Sequence, residues 1–437
     1  MDELFHSFDE RPIGAASVAQ VHRAALRPRE AGGEPAPIVL KVQYPEVAEL
    51  FEADLSNLEI ATRLFAPENL EVVRALRRRH ENELDFRREA ENLRQCSRDM
   101  REHGLEPSLV RIPRVVEDIC TRNVLAMEYL DGVSLSDAIE QEQDRVAKAL
   151  GHQNGKELKK MLASRMRDHF KNGGGAGSGG LKMLGSKRMK TLNVLGPATA
   201  RVLRTYASVR EGIESGIESA ALHAAKFGSK LRHGWSGDDL DLSAYVGGSK
   251  KKRANVNLGR ALKTMVHVHG IQLLLTGTYN ADPHPGNILL LPDGRLGLLD
   301  YGMVGRLSEK DREVVAETIV ALSNKDKAAT AKLYRDHGYR ASLRSGGDVD
   351  DIDDAILHRF ASFHLDRIDL SPLTLDDGET IDIMEVFRTV RERAVPTWVE
   401  EGRRLGSLLM GVNAQAARPI SLAREWRPIA QEALRKS

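Results

Sequence analysis

The 437 residues, 41% hydrophobic and 29% charged, read as a soluble globular chain too long for one small core and suited to two lobes or two to three domains. A net charge of only +1 provides no global field for nucleic acid, which is excluded as a partner. Two distant cysteines, Cys96 and Cys120, exclude a disulfide framework or a cysteine-built zinc site and fit a reducing compartment.

From Pro12 to Val42 the pattern predicts strands and turns, ending in the strand Ile38-Val39-Leu40-Lys41-Val42. Pro45 to Glu102 reads as helix, with recurring apolar residues (Leu50, Leu55, Leu58, Ile60) and a break at Pro67. Val115 to Tyr129 returns to strand character and Asp131-Gly132 closes it. The stretch that follows differs. It holds the flexible linker Asn172–Gly180, helical patches over Thr191–Lys230 and the basic run Lys250-Lys251-Lys252-Arg253. Residues 151–255 contain 20 Lys and Arg against 8 Asp and Glu, a net of +12, so the rest of the chain is near −11. This reads as a basic, Gly-rich insertion, partly disordered by composition, over residues 134–255, between a region of 1–133 and one of 256–437. Helix is expected again over Val256–Thr278, then strands at Ile288–Leu291 and Leu296–Leu299 about an Asp293-Gly294 turn. From Ser308 onward the pattern is almost all helix, broken at Gly346-Gly347 and Pro372.

No stretch reaches the roughly 20 apolar residues a spanning helix needs; the most apolar, Ile271–Leu275, is far shorter. The N-terminus has neither a secretory signal nor the Arg/Ser-rich look of a transit peptide. Either the chain is soluble where it is made, or the sequence is a fragment that lacks its true start.

The chemistry concentrates in Asp282-Pro283-His284-Pro285-Gly286-Asn287, then a strand–turn–strand, then Asp300-Tyr301-Gly302. Phosphoryl transfer from ATP needs a carboxylate near the attacking group and hard oxygen ligands that clamp Mg²⁺ against the phosphates. Asp282 and Asn287 have the spacing of a kinase catalytic loop, and Asp300 follows where the metal-binding Asp belongs, with Tyr301 a conservative replacement for Phe. Lys41, flanked by apolar strand residues, must be paired or reach solvent; the kinase reading sets it on the α/β-phosphates of ATP and against a helix glutamate. Glu83, Asp85 and Glu89 are the candidates, and spacing alone does not choose among them. Gly14-Ala15-Ala16-Ser17 allows close approach of backbone N–H groups to phosphate oxygens. Taken alone that pattern is a plain tight turn; its position a strand ahead of Lys41 raises it. Glu128 and Tyr129, by order along the chain, fall where a hinge offers backbone groups to adenine. His267 and His269, two apart, cannot share a helical face as metal ligands, and His284 is read as structural.

Together these segments resemble the UbiB (aarF-domain-containing, ADCK-type) family of atypical kinases. Pro12–His22 is similar to its alanine-rich loop and Lys41-Val42-Gln43-Tyr44-Pro45 to its strand-lysine motif. Glu83-Leu84-Asp85-Phe86-Arg87-Arg88-Glu89 resembles its Glu-x-Asp signature, which makes Glu89 the partner of Lys41. The resemblance covers residues 1 to about 140 and about 256 to 437. It implies an α+β, protein-kinase-like two-lobed fold: a small β-rich N-lobe with added helices over 1–133 and a larger, mainly α C-lobe over 256–437. It implies binding of ATP and Mg²⁺ and a role in coenzyme Q-like isoprenoid-quinone or lipid metabolism, in mitochondria, plastids or bacteria. The activity expected is that of an ATPase or small-molecule/lipid kinase, the alternative being a nucleotide-binding scaffold that turns over little. A lipid or isoprenoid small molecule is the expected partner, with peripheral contact to an anionic membrane through the basic insertion. The family's Lys-x-Gly-Gln extension, which folds over the site and meets the Glu-x-Asp pair, has no counterpart in this sequence.

Overall fold

The structure, a computed structural model, describes residues 4–15, 18–28, 33–65, 84–149, 151–157, 257–343, 352–416 and 420–436, and isolated positions between them. The chain divides into two units. The first comprises Met1–Ile139, Val256–Asp369 and Leu373–Ser437; the second is Glu140–Asn255 with Leu370–Pro372. Nearly all of the basic segment, with its Gly-rich linker and helical patches, lies outside the described residues. In the second unit Asp144 accepts a hydrogen bond from the Gly155 N–H at 2.7 Å, which folds the chain back along its own helix.

The first unit opens with strands β1 (Phe5–Phe8), β2 (Gly14–Ala15), β3 (Ala19–Leu26) and β4 (Ala36–Gln43). Helix α1 (Val47–Phe65), helix α2 (Phe86–Glu102) and strands β5 (Val110–Arg111) and β6 (Val124–Glu128) follow. The antiparallel order is β1-β3-β4-β6, with β2 paired to β3. Because side chains alternate along a strand, Ile38 and Leu40 point to one face, into a core with Ala24 and Ala126, while Val39 and Lys41 point to the other. That alternation delivers a lysine to the cleft side without disturbing the apolar side.

Helix α2 starts because Asp85, in extended conformation, accepts from the Arg87 N–H as N-cap. Its buried residues Phe86, Glu89, Ala90, Leu93, Cys96 and Met100 recur at three-to-four spacing, so Glu89 sits one turn in, on the covered face. After β7 (Val133–Ser134) and α3 (Leu135–Ala149), helix α4 (Leu258–Ile271) begins at Asn257, whose side chain accepts from the Arg260 N–H. It then widens into a π-helical turn, Gln272–Thr276, which ends at Gly277 with φ of 71°. The left-handed backbone there favours glycine, which has no Cβ to strain.

Strands β8 (Thr278–Asn280), β9 (Ile288–Leu290), β10 (Leu296–Leu298) and β11 (Val304–Arg306) frame the cleft from below. The β9–β10 hairpin turns through Asp293-Gly294, as the sequence predicts, and β10 also pairs in parallel with β5. Helices α5 (Glu309–Asn324), α6 (Lys327–Asp336), α7 (Asp354–Leu365), α8 (Ile383–Thr389), α9 (Thr397–Gln415) and α10 (Leu422–Lys436) complete the C-lobe. The whole is the expected α+β, kinase-like fold.

Three expectations need correction. The α-helix ends at Ile271 and its π-helical continuation at Thr276, so Thr278 already belongs to a strand. Between Val115 and Tyr129 only Val124–Glu128 is a continuous strand; a 3₁₀ turn at Glu117–Ile119 precedes it. The C-terminal region, read as helix, contains an antiparallel pair, Arg340–Leu343 with Val390–Ala394. Arg, Glu and Ala favour helix, but Glu392 in that strand accepts from the Tyr339 hydroxyl at 2.8 Å and from Arg403 at 3.2 Å, and tertiary pairing overrides propensity.

Helix α10 packs on α4, where the Trp426 indole donates to the Val266 carbonyl at 2.8 Å. A Cβ on Gly270 would come within 2.5 Å of that ring. Gly270→Ala is therefore expected to destabilise the first unit by about 1–3 kcal/mol through overpacking, read as a lowered urea midpoint with unchanged slope.

Candidate active site

Lys41 is almost fully buried, and its ammonium donates to both Glu89 carboxylate oxygens, each at 2.9 Å. It also donates to Asp300 Oδ2 at 3.3 Å. The Phe86 ring lies beneath the same ammonium, 5.3 Å from its centroid. One cation thus serves two carboxylates from different elements. Burial opposes the Lys41 charge, but Glu89 and Asp300 outweigh it and hold its pKa above the ordinary lysine value. Burial, reinforced by the charge of Asp300 and only partly offset by Lys41, pushes the Glu89 carboxyl up to about 7.

The structure settles the choice among the helix carboxylates. Glu89 holds Lys41, Asp85 caps its own helix and pairs with Arg87 at 2.7 Å, and Glu83 lies outside the described residues.

Below the lysine, the β9–β10 register continues through the Leu299 N–H, which donates to the Asn287 carbonyl at 3.0 Å. Asn287 therefore stands across from the residue preceding Asp300. Asp300 Oδ1 accepts from the Gly302 N–H at 2.8 Å, which fixes the carboxylate over the turn. Asp282 is exposed, with its own N–H donated to Asn280 Oδ1 at 2.9 Å. Among the described residues, the side chains of Asp282 and Asn287 carry no hydrogen bond, so their oxygens remain for a ligand. His284 Nδ1 accepts from the Gly286 N–H at 3.1 Å and so caps the 3₁₀ turn Pro285–Asn287, a structural role as read from sequence. His269 is likewise a core histidine, its Nδ1 2.7 Å from the Met265 carbonyl. An Asp and an Asn side-chain oxygen flanking the adjacent strands β9 and β10 form a hard-donor set suited to Mg²⁺, so Asn287 and Asp300 are the residues that would hold it.

Gly14 and Ala15 form the short strand β2 over β3, both exposed and with open space at Gly14; Ala16 and Ser17 lie outside the described residues. Glu128 and Tyr129 lie at the end of β6, but their N–H groups already donate to the Arg114 and Pro37 carbonyls at 2.8 and 3.2 Å. Only their carbonyls remain to meet a base.

Several residues in the site went unseen in the sequence. Asn280, buried, donates to the Asp300 carbonyl at 2.8 Å, and Asn92 of α2 donates to the Tyr301 carbonyl at 2.9 Å. Gln272 donates to the Tyr301 hydroxyl at 2.8 Å, so Tyr301 is more than a stand-in for Phe. The signal was present in Gln272, an amide set in the most apolar run of the chain.

A lysine–glutamate pair over a catalytic loop and a metal-type Asp, on this two-lobed frame, defines an atypical kinase-like domain. The chain belongs to the ABC1 atypical kinase-like family, whose domain matches residues 1–166 and 243–334. Among curated proteins it is similar to a probable protein kinase UbiB of Aeromonas hydrophila, 37% identical over 145 residues, which cover 31% of this chain and 25% of that protein. It is also similar to the mitochondrial atypical kinase COQ8B of Rattus norvegicus, 34% identical over 134 residues, 30% of this chain and 24% of that protein. The AarF domain-containing protein kinase 1 of Xenopus tropicalis is 32% identical over 161 residues, 35% of this chain and 29% of that protein. The matches thus span 24% to 29% of these relatives' length. Among solved structures, that of an Rv3197–erythromycin complex from Mycobacterium tuberculosis shares the fold, with a TM-score of 0.52 at 17% identity over 99% of this chain and 78% of that one.

Because the Glu89 carboxyl titrates near 7 when folded against 4.5 ordinarily, the folded state takes up a proton across that window, and this group's contribution to stability falls as pH rises through it. Lys41→Met leaves Glu89 buried without its cation. The variant is expected to lose about 3 kcal/mol at pH 8, and markedly less at pH 6, where Glu89 is neutral. Urea unfolding at the two pH values measures the difference.

Proposed function

We propose that this chain is an Mg-ATP-dependent enzyme that hydrolyses ATP or transfers its γ-phosphoryl group to a small or lipid-like acceptor in coenzyme Q-like isoprenoid-quinone metabolism. The observation that carries the reading is Lys41 held between Glu89 and Asp300 beside unencumbered Asp282 and Asn287. Lys41 orients the α/β-phosphates, and Glu89 keeps it extended toward them. Asp282 orients the attacking hydroxyl or water and takes its proton. Asn287 and Asp300 would hold Mg²⁺, which would supply positive charge to offset that of the phosphates. The quinone setting rests on the resemblance to the UbiB and COQ8 kinases.

The segment after Asp300 bears on the acceptor class. Val304, Gly305 and Arg306 pair at once with Asn280, Tyr279 and Thr278, and Ser308 caps α5 by accepting from the Asp311 N–H at 3.1 Å. That span is too short for the peptide-docking platform of a protein kinase. A small acceptor, or water, fits the space better.

Mg²⁺-dependent ATP hydrolysis, measured with and without anionic liposomes carrying a quinone-precursor mimic, tests the reading. Asp300→Asn is expected to lower turnover roughly 100-fold, the scale for losing one fixed electrostatic contact in a transition state. Stimulation by the lipid would identify the acceptor's class. Nucleotide binding without hydrolysis above that of the variant would instead support a scaffold.

A further inference from the structure

Gln272 is completely buried, yet every hydrogen-bonding group of its amide is used. Nε2 donates to the Tyr301 hydroxyl at 2.8 Å and to Cys96 Sγ at 3.4 Å. Oε1 accepts from the Asn280 N–H at 3.3 Å. These partners stand on three separate pieces of the site. Cys96 is on α2, two turns beyond Glu89; Tyr301 follows Asp300; and Asn280 contacts both Asp300 and Asp282. The residue also opens the π-helical turn, a rare backbone form frequent at functional sites. That turn is fixed from both sides, since the Thr276 hydroxyl donates to the Gln272 carbonyl at 2.9 Å and Arg312 donates to the Leu275 carbonyl at 2.5 Å. An apolar side chain would fill the same space at lower cost. A fully satisfied buried amide instead specifies one arrangement of its partners.

We propose that Gln272 is a positioning residue that locks the Asp300 turn and the Asp282 loop in register with α2, and so with the Lys41–Glu89 pair. The significance for turnover rests on the Mg-ATP reading above; the locking itself does not. With Gln272→Leu, the Tyr301 hydroxyl and the Asn280 N–H lose the amide together, and the hydroxyl keeps only its contact with the Cys96 thiol. The two loops then gain freedom while the Lys41–Glu89 pair stays as it is.

Two measurements on the full chain test this. Hydrogen exchange in Gln272→Leu is expected to quicken at least tenfold in peptides covering Asp282–Asn287 and Asp300–Arg306, with α5 and α10 unchanged. Equal protection in both proteins overturns the proposal, whether or not the melting temperature falls. In parallel, ATP binding is titrated with Mg²⁺ and with EDTA. The variant should bind ATP in EDTA within about twofold of wild type yet need about tenfold more Mg²⁺; an unchanged Mg²⁺ requirement also overturns it. If wild type itself shows no Mg²⁺-dependent ATP binding, the functional reading falls, and the exchange data still decide the role of Gln272. Should Gln272→Leu not fold, Tyr301→Phe deletes a single hydroxyl. It should quicken exchange at Asp300–Arg306 about threefold, and no change there would overturn the proposal.

Discussion

A single ammonium lies between two carboxylates that reach it from 48 and 259 residues away in the chain. Taking such charges out of water is costly, and the cost is met only if donor and acceptors arrive with good geometry. Each major element near the cleft serves that requirement. The β3-β4-β6 register aims Lys41 inward, the Asp85 cap sets the rotation of α2 that covers Glu89, and the β9–β10 hairpin presents Asp300. A slip of one residue in β4 would turn Lys41 into the apolar side of the sheet and bring Leu40 or Val42 to the cleft.

Two carboxylates and one lysine leave the pocket with excess negative charge. Glu89 absorbs that excess by holding its proton more tightly than an ordinary carboxyl does. A divalent cation at Asp300 would relieve the same imbalance from the opposite side. The charge arithmetic of the pocket therefore favours a metal-bound nucleotide over a bare one, since a bare polyphosphate adds negative charge where there is already too much.

The parts of the site legible in the sequence were those whose spacing is dictated by chemistry. Asp282, Asn287 and Asp300 must span a hairpin of fixed length, and Lys41 must interrupt a buried strand. Glu89 was different: three carboxylates within seven residues look alike in the sequence until the cap fixes where the helix begins, and only the family resemblance chose Glu89 beforehand. Gln272, Asn280 and Asn92 escaped notice because amides have no fixed spacing to their partners, and those partners come from distant segments. The strand Val390–Ala394 was hidden by helix-favouring residues whose conformation is decided by neighbours far along the chain. At Glu128 and Tyr129, order along the chain located the end of β6, but no sequence pattern reveals that both N–H groups are already engaged.

The pairing of β11 with β8 has a pharmacological consequence. Many kinase inhibitors enter a space vacated when the aromatic residue after the metal-binding Asp swings out of its pocket. Here that residue, Tyr301, is buried, held through its hydroxyl by Gln272 and through its carbonyl by Asn92, and followed within three residues by a hydrogen-bonded strand. Swinging it out means breaking a side-chain network and a strand pair together. The geometry closes that rear entrance, so compounds directed at this domain must enter from the front of the cleft, where the proposed nucleotide would sit.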